Sequence, residues 1–575
     1  MAQQGQTAPG VQRPGQQQQP GRDVSAQTRL ATGTASLSGQ VVALDTGRPL
    51  KRVRVSLTAP ELQEGRSSTT DDQGRFSFQN LPAGRYSINA SKAGFIAMNY
   101  GARRPNRQGQ PVPLAAGERA RGVDLMLPRG SVVTGHVYDE DGEPMVGAQV
   151  RVMRFQYVQG ERRLVPAGAE TSDDRGEFRV YGLQPGTYYV AATSMQTGMM
   201  ATMVQGGDVV AYTVQADGVN PGASQPSGTG FAPTYYPGVT SVADALPVNV
   251  GLQAEAANID FILQLVPTAR VSGTVMSTDG SPAQGSSVTL APDDATSSAR
   301  YLGANYGSGV RQDGSFIIMN VPPGRYVAFA RGQDRRVQMP LFGFQNVSVS
   351  GADVTGVALT LAPGQTVSGT VSVDPGSASA GNLTRVRVSL ASLSSLPIPT
   401  PPASGALVDG TFSLTPVVAG NYLVRVSGLP QNFALKSAEY GGRDVADLPL
   451  EVRGGQNISG VNVVISDRVT EISGTVPAGE GQLESDYTVV AFSADPANWR
   501  PQSRYIQVGR PDASSQFRIR GLPPGDYLVV ALDDVESGEW FDPSVLERAR
   551  RSAIRISLSD GDTKTLELPL STLDR

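Results

Sequence analysis

Apolar and polar residues alternate with a period of two along short stretches of this chain, as in Val53/Val55/Leu57, Val150/Val152, Val288/Leu290 and Val386/Val388/Leu390. Alternation of this kind predicts β-strands with one buried and one wet face. Hardly any stretch carries helical periodicity; Pro543 to Arg551 is the exception and predicts one or two turns. Around these strands one pattern recurs five times, Phe-x9-Tyr with Gly two residues before the Tyr. The copies are Phe76/Gly84/Tyr86, Phe178/Gly186/Tyr188, Phe316/Gly324/Tyr326, Phe412/Gly420/Tyr422 and Phe517/Gly525/Tyr527. They stand roughly 96 to 138 residues apart, the mark of one structural unit copied along the chain.

Each copy opens on a Ser/Thr-Gly-x-Val strand, from Ser38-Gly39-Gln40-Val41 to Ser473-Gly474-Thr475-Val476. The Gly precedes the Phe by 43 residues in four copies and by 37 in the first, so the copies agree in register. Turn residues come before the Phe: Asp72-Gln73-Gly74, Asp174-Arg175-Gly176, Asp313-Gly314 and Asp409-Gly410. Gly there supplies the positive φ that a tight hairpin requires. The fifth copy has Ser514-Ser515-Gln516-Phe517 and predicts a different turn. Between Phe and Tyr stand Pro-Gly connections such as Leu81-Pro82-Ala83-Gly84 and Leu522-Pro523-Pro524-Gly525. Two further strands close each unit, as in Pro247 to Val250 followed by Ile259 to Leu263. About seven short strands in about 100 residues predict an antiparallel β-sandwich.

The 575 residues therefore divide into a Gln/Gly/Pro-rich tail (1–35) with too little to bury to become ordered, and five sandwiches at 36–130, 131–267, 268–364, 365–468 and 469–575. The second carries an insertion at about 195–237 that includes Met199, Met200 and Met203. Short junctions such as Pro128-Arg129-Gly130 and Ala362-Pro363-Gly364 restrict relative motion and predict a rod-like or gently curved string, on the order of 150 to 200 Å long.

Composition narrows the function. A net charge of -4 with no Lys/Arg-rich face gives no footprint for nucleic acid, and no apolar run is long enough to span a bilayer. The stretch Arg103-Arg104-Pro105-Asn106-Arg107 reads as a solvated loop. With no Cys, disulfides, thiolate zinc sites and a Cys nucleophile are excluded, while the compartment stays open. The start MAQQGQTAPG has no apolar signal segment and suits either a cytoplasmic chain or the mature form of an exported one.

In order, Ser-Gly-x-Val, Asp-x-x-Gly-x-Phe and Leu-Pro-x-Gly-x-Tyr resemble the carboxypeptidase regulatory-like domain, a transthyretin-like (prealbumin-like) sandwich, over about residues 36 to 570. The fold class is thus all-β, a tandem array of five antiparallel transthyretin-like/Ig-like sandwiches with a disordered N-terminal tail. Tandem proteins similar to this one, with a segment like Tyr235-Tyr236-Pro237-Gly238, occur in bacteria with large exported proteomes. The resemblance implies a secreted, periplasmic or cell-surface location. It also implies a non-enzymatic scaffold or adhesion role, with an envelope or extracellular protein or a glycan as partner.

Peptidase activity is not implied, and the residues agree. A zinc carboxypeptidase site needs two His and a carboxylate, and the chain has one His. His136 is replaced by Gln40, Thr274, Thr370 and Thr475 in the other copies, which marks a polar, outward position. The related Cna-B-type sandwiches carry Lys-Asn cross-links, but Lys51, Lys92, Lys436 and Lys564 share no repeat position. Calcium is the one cofactor to consider, at Asp71-Asp72, Asp173-Asp174 or Asp139-Glu140-Asp141-Gly142, although turn formation explains these residues better. Aromatic residues after the Tyr strand, namely Tyr100, Tyr235, Tyr236, Phe342, Tyr440 and Trp540, either stack on sugar faces and anchor a partner or cover the end of each sandwich. Glycan binding through these rings is the alternative to a scaffold role.

Overall fold

Five strands recur in every sandwich, and three of them carry the repeated Gly, Phe and Tyr. The Gly strand is Ala35–Ala43, Ser131–Tyr138, Ala269–Ser277, Gln365–Val373 and Glu471–Thr475 in the five copies. It pairs antiparallel with the Phe strand, so that Gly39 faces Phe76, Gly135 Phe178, Gly273 Phe316, Gly369 Phe412 and Gly474 Phe517. On its other edge it pairs parallel with the closing strand of the same unit. The second strand, for example Arg54–Thr58 or Thr488–Ser493, pairs antiparallel with the Tyr strand in the facing sheet. In this computed structural model the described residues are 33–573 except 63, 103, 106–108, 159, 195–199, 206–207, 214–227, 294–305, 335–338, 380, 395–403, 406, 408, 478–486, 512–515 and 534. The Gln-rich tail, much of the insertion, Arg103, Asn106, Arg107 and the Ser514-Ser515 turn lie outside them.

Two local expectations change. The Phe and Tyr strands follow one another in the chain but lie in facing sheets in four sandwiches, and with three strands between them in one continuous seven-stranded sheet in the third, so the Pro-Gly connection is an arch and not a hairpin. The Asp-Gly turn is likewise tight, with Gly74, Gly176, Gly314 and Gly410 at φ of 71° to 81°. The strands it joins nevertheless do not pair: they lie in different sheets in the first and second sandwiches, as with Arg66–Thr69 and Arg75–Leu81, and at opposite edges of one seven-stranded sheet in the third. Period-two patterning fixes which side chains point inward; it does not say which strands pair.

Each sandwich encloses its own core, from Ala35 to Leu127, Val133 to Leu263, Ala269 to Leu361, Val367 to Ile465 and Ile472 to Leu568. The repeated Phe and Tyr are buried in all five, and each contributes about 1.5 to 3 kcal/mol through removal of its side chain from water. Every repeated Tyr also donates its hydroxyl hydrogen to the carbonyl four residues earlier. The partners are Pro82 at 2.7 Å, Gln184 at 2.5 Å, Pro322 at 3.0 Å, Val418 at 2.8 Å and Pro523 at 2.6 Å. This is a tyrosine corner, and it pins the inter-sheet arch.

The Gly of the Gly strand has an equally plain reason. A Cβ there would stand 1.9 Å from the Val123 carbonyl oxygen in the first copy, 2.2 Å from Ile259, 1.8 Å from Val357, 1.9 Å from Val461 and 1.8 Å from Leu566 in the rest. Only Gly lets the closing strand approach.

Two sandwiches have a second core on the outer side of the sheet that holds the Tyr strand. In the second, Met153, Leu164, Ala191, Tyr235 and Ala245 cluster. In the fifth, Val490, Phe492, Leu528 and Val530 are covered by Trp499, Trp540, Leu546 and Ala549. The expected helical turns form there, as the helix Pro543–Ala549 with Asp542 as N-cap.

The open string predicted from the junctions does not form. Tyr157 of the second sandwich hydrogen-bonds Asp542 of the fifth, and the loop around Gln502 lies against the fourth. Linker length limits motion at each joint but says nothing about contacts made by outer faces. No helix among the described residues is long and apolar enough to cross a membrane.

Candidate functional site

The sequence-selected aromatic residues are largely packed. Tyr235 is 3% exposed, Phe342 7% and Trp540 9%, so none of these three presents a face for stacking. Tyr235 and Trp540 sit in the two outer cores, and Phe342 stacks on Phe329 with centroids 6.3 Å apart. Tyr100 and Tyr236 are half-buried against the cores of the first and second sandwiches, with Tyr236 edge-on to Phe261. Tyr440, also half-buried, borders an open cleft of about 310 Å³ with Arg443, Glu451, Arg453 and Gln456. The rings are not gathered into one platform; they are spread over all five sandwiches.

One carboxylate in each group weighed for calcium caps a turn. Asp71 Oδ1 accepts from the backbone N–H of Gln73 and Arg75 at 2.9 and 2.8 Å. Asp173 does the same for Arg175 and Glu177, and Asp139 for Asp141 and Glu143. These are Asx-type turns that fix the inter-sheet crossing. Among the described residues no group of three His, Asp or Glu is arranged to hold a metal ion.

His136 occupies the outward strand position that the copies predict. Its Nδ1 lies 3.0 Å from Asp260 Oδ1 and its Nε2 3.4 Å from Glu177 Oε1. The Asp260 hydrogen bond raises its pKa above the ordinary imidazole value, against partial desolvation and with help from Glu177. Held between two acids, the ring forms a surface ion pair when it is protonated. The lysines are spread as well: Lys436 bridges Asp374 at 2.9 Å and Asp560 at 3.1 Å, whereas Lys92 donates to the Lys51 carbonyl.

One polar constellation was missed by sequence reading. Arg504 of the fifth sandwich, its side chain 11% exposed, reaches Asp444 and Asp447 of the fourth, each at 2.7 Å. It also donates to the carbonyls of Leu435 and Lys436 at 2.8 and 3.0 Å. Burial opposes its charge, but Asp447 and Asp444 outweigh that and raise its pKa. Arg425, from the outer side of the Tyr strand of the fourth sandwich, donates to the Gln502 carbonyl at 2.7 Å, and burial lowers its pKa. Two buried guanidinium groups thus meet two carboxylates at a sandwich junction. The only sequence signal was a lone Arg425 among Asn89, Ala191, Phe329 and Val530 at the equivalent position.

With the geometry in hand, the likenesses fall into place. The family model described as "Carboxypeptidase regulatory-like domain" matches residues 36–126, the first sandwich. No curated protein matches the chain. Among solved structures, a streptococcal ancillary pilin is 24% identical over 32% of this chain and 60% of its own, with a TM-score of 0.19. GBS52, a minor pilin of Streptococcus agalactiae, is 14% identical over 41% of this chain and 98% of its own, with a TM-score of 0.20. The shaft pilin of Lactobacillus rhamnosus GG gives 14%, 40%, 97% and 0.20. The match spans less than two thirds of the first of these pilins.

Proposed function

With the first sandwich a carboxypeptidase regulatory-like domain and four more built on its register, we propose that this chain is a non-enzymatic interaction scaffold exported to the cell envelope or beyond. Its units are proposed at 36–130, 131–267, 268–364, 365–468 and 469–575. One observation carries the reading: the residues common to the copies are committed to holding each sandwich together. Gly admits the closing strand, Phe fills the core and Tyr ties the arch, so the shared positions build spacers. Export rests on the resemblance of the repeats. Fractionation of the native host should recover the protein from envelope or medium; recovery from the cytoplasm alone overturns export. Limited proteolysis should release fragments that end near the stated boundaries.

A second reading, glycan binding, has the Tyr440 cleft in its favour, because a half-buried ring flanked by Arg443, Glu451 and Arg453 suits a sugar face with its hydroxyls. On a glycan array it requires a signal that Tyr440→Ala abolishes. Binding untouched by that change, or no binding, removes it.

A further inference from the structure

Loop 499–505 of the fifth sandwich is gripped from two sides. The fourth sandwich holds it through Arg425 and the Arg504 cluster. On the other side stands the tip of a long hairpin from the second sandwich, Gln149–Val158 and Glu161–Thr171. Gly160, at φ of 83°, comes so close that a Cβ would lie 2.8 Å from Pro501 Cα and 3.1 Å from the Gln502 nitrogen. Beside it, Tyr157 Oη donates to Asp542 Oδ2 at 2.6 Å. Gly538 of the fifth sandwich, at φ of 87°, leaves the room Tyr157 occupies, since a Cβ there would sit 2.6 Å from Tyr157 Cβ.

Both sides of this contact are stiffened. The guanidinium of Arg162 lies 4.2 Å over the Phe155 ring, and Phe155 packs edge-on against Tyr189 at 5.3 Å. Behind the hairpin is the outer core of the second sandwich; behind Asp542 is that of the fifth. A Gly without room for a side chain on each partner, joined by a hydrogen bond to a carboxylate, describes complementary surfaces.

We propose that the second and fifth sandwiches form a standing intramolecular clasp. The hairpin tip seats between loop 499–505 and the Gly538–Asp542 turn, and the chain closes into a loop through its second, fourth and fifth units. The occupant of the seat is this same chain, because Tyr157 and Asp542 satisfy each other within one copy.

The chain has no Cys, so two introduced Cys take spin labels without background. Labels at Asp174→Cys and Lys564→Cys, both exposed, report the distance between the second and fifth sandwiches. One narrow distance distribution is expected, unchanged when labelled protein is diluted with unlabelled copies. Tyr157→Phe should broaden it, and Gly160→Val, which drives a side chain into Pro501, should broaden it further. If Gly160→Val does not fold, Tyr157→Phe still decides. A broad distribution in the unaltered chain, a signal that fades on dilution, or one that neither variant changes overturns the clasp; fading would assign the contact to two copies.

Discussion

The two faces of the Tyr strand differ throughout this molecule. Its inner positions read Tyr86/Ile88/Ala90, Tyr188/Val190/Ala192, Tyr326/Ala328/Ala330, Tyr422/Val424/Val426 and Tyr527/Val529/Ala531, one theme five times over. Its outer positions read Ser87/Asn89, Tyr189/Ala191, Val327/Phe329, Leu423/Arg425 and Leu528/Val530, with no theme. Ser87 faces solvent, while Leu423, Leu528 and Val530 are buried. The inner face makes the fold; the outer face decides what each sandwich leans against. One strand serves both purposes because successive side chains point opposite ways.

The comparison breaks most readily at the outer contacts. Arg504→Ala should cost about 3 to 5 kcal/mol, since it leaves Asp444 and Asp447 without their buried partner. Calorimetry should register the loss as earlier unfolding of the fourth and fifth sandwiches; a change under about 1 kcal/mol would mean their junction is not energetically joined. Leu528→Ala should cost about 2 to 5 kcal/mol because both faces of that sheet are core. Ser87→Ala, the same position in the first sandwich, should stay within about 0.5 kcal/mol. Equal effects would erase the distinction between the two outer faces.

On the inner side, Gly369→Ala should destabilise the fourth sandwich by roughly 3 kcal/mol, because the Val461 carbonyl must give way. Tyr→Phe at any of the five corners should cost about 1 kcal/mol, the net worth of one hydrogen bond, and similarly in each copy. Alkali probes the same groups. Burial pushes the Tyr422 hydroxyl up to about 12, and it raises Tyr86, Tyr188, Tyr326 and Tyr527 as well. A group whose pKa is higher folded than unfolded stabilises fully below the unfolded value, about 10 for Tyr, and loses that as pH rises through the folded one. Stability should hold to about pH 10 and then fall, with these five hydroxyls ionising at higher pH than tyrosines in the unfolded chain; ionisation of the five at the unfolded value would mean the corners are open. The smallest effect belongs to His136→Gln, the residue of the first copy, at under about 0.5 kcal/mol. An NMR titration of the only imidazole should find its pKa above the ordinary value.

The sequence spoke clearly where copies could be laid over one another. Five agreeing registers gave the Gly, Phe and Tyr positions, the all-β array and the outward place of His136. It was mute on strand pairing, because period two reports a side chain's face and not its neighbour. It also exposed none of the partners of Arg504, since Asp444 and Asp447 lie about 60 residues away in the chain. Tyr157 and Asp542, 385 residues apart, meet only through tertiary structure. Aromatic residues after the Tyr strand were visible, but whether Tyr235 or Trp540 meets water depends on the outer cores.

Because the Gly strand and the closing strand run parallel, the chain enters each sandwich at one end and leaves at the other. Tension between neighbours then loads that seam in shear, stressing its hydrogen bonds together, where a hairpin would be unzipped one bond at a time. The seam runs from Val271 to Ser277 in the third sandwich and from Val367 to Val373 in the fourth. In the second it is confined to Val132–Val133 and Val137–Tyr138. The unit least able to bear a pull is the one held to the fifth by its hairpin, which gives force a second route around it.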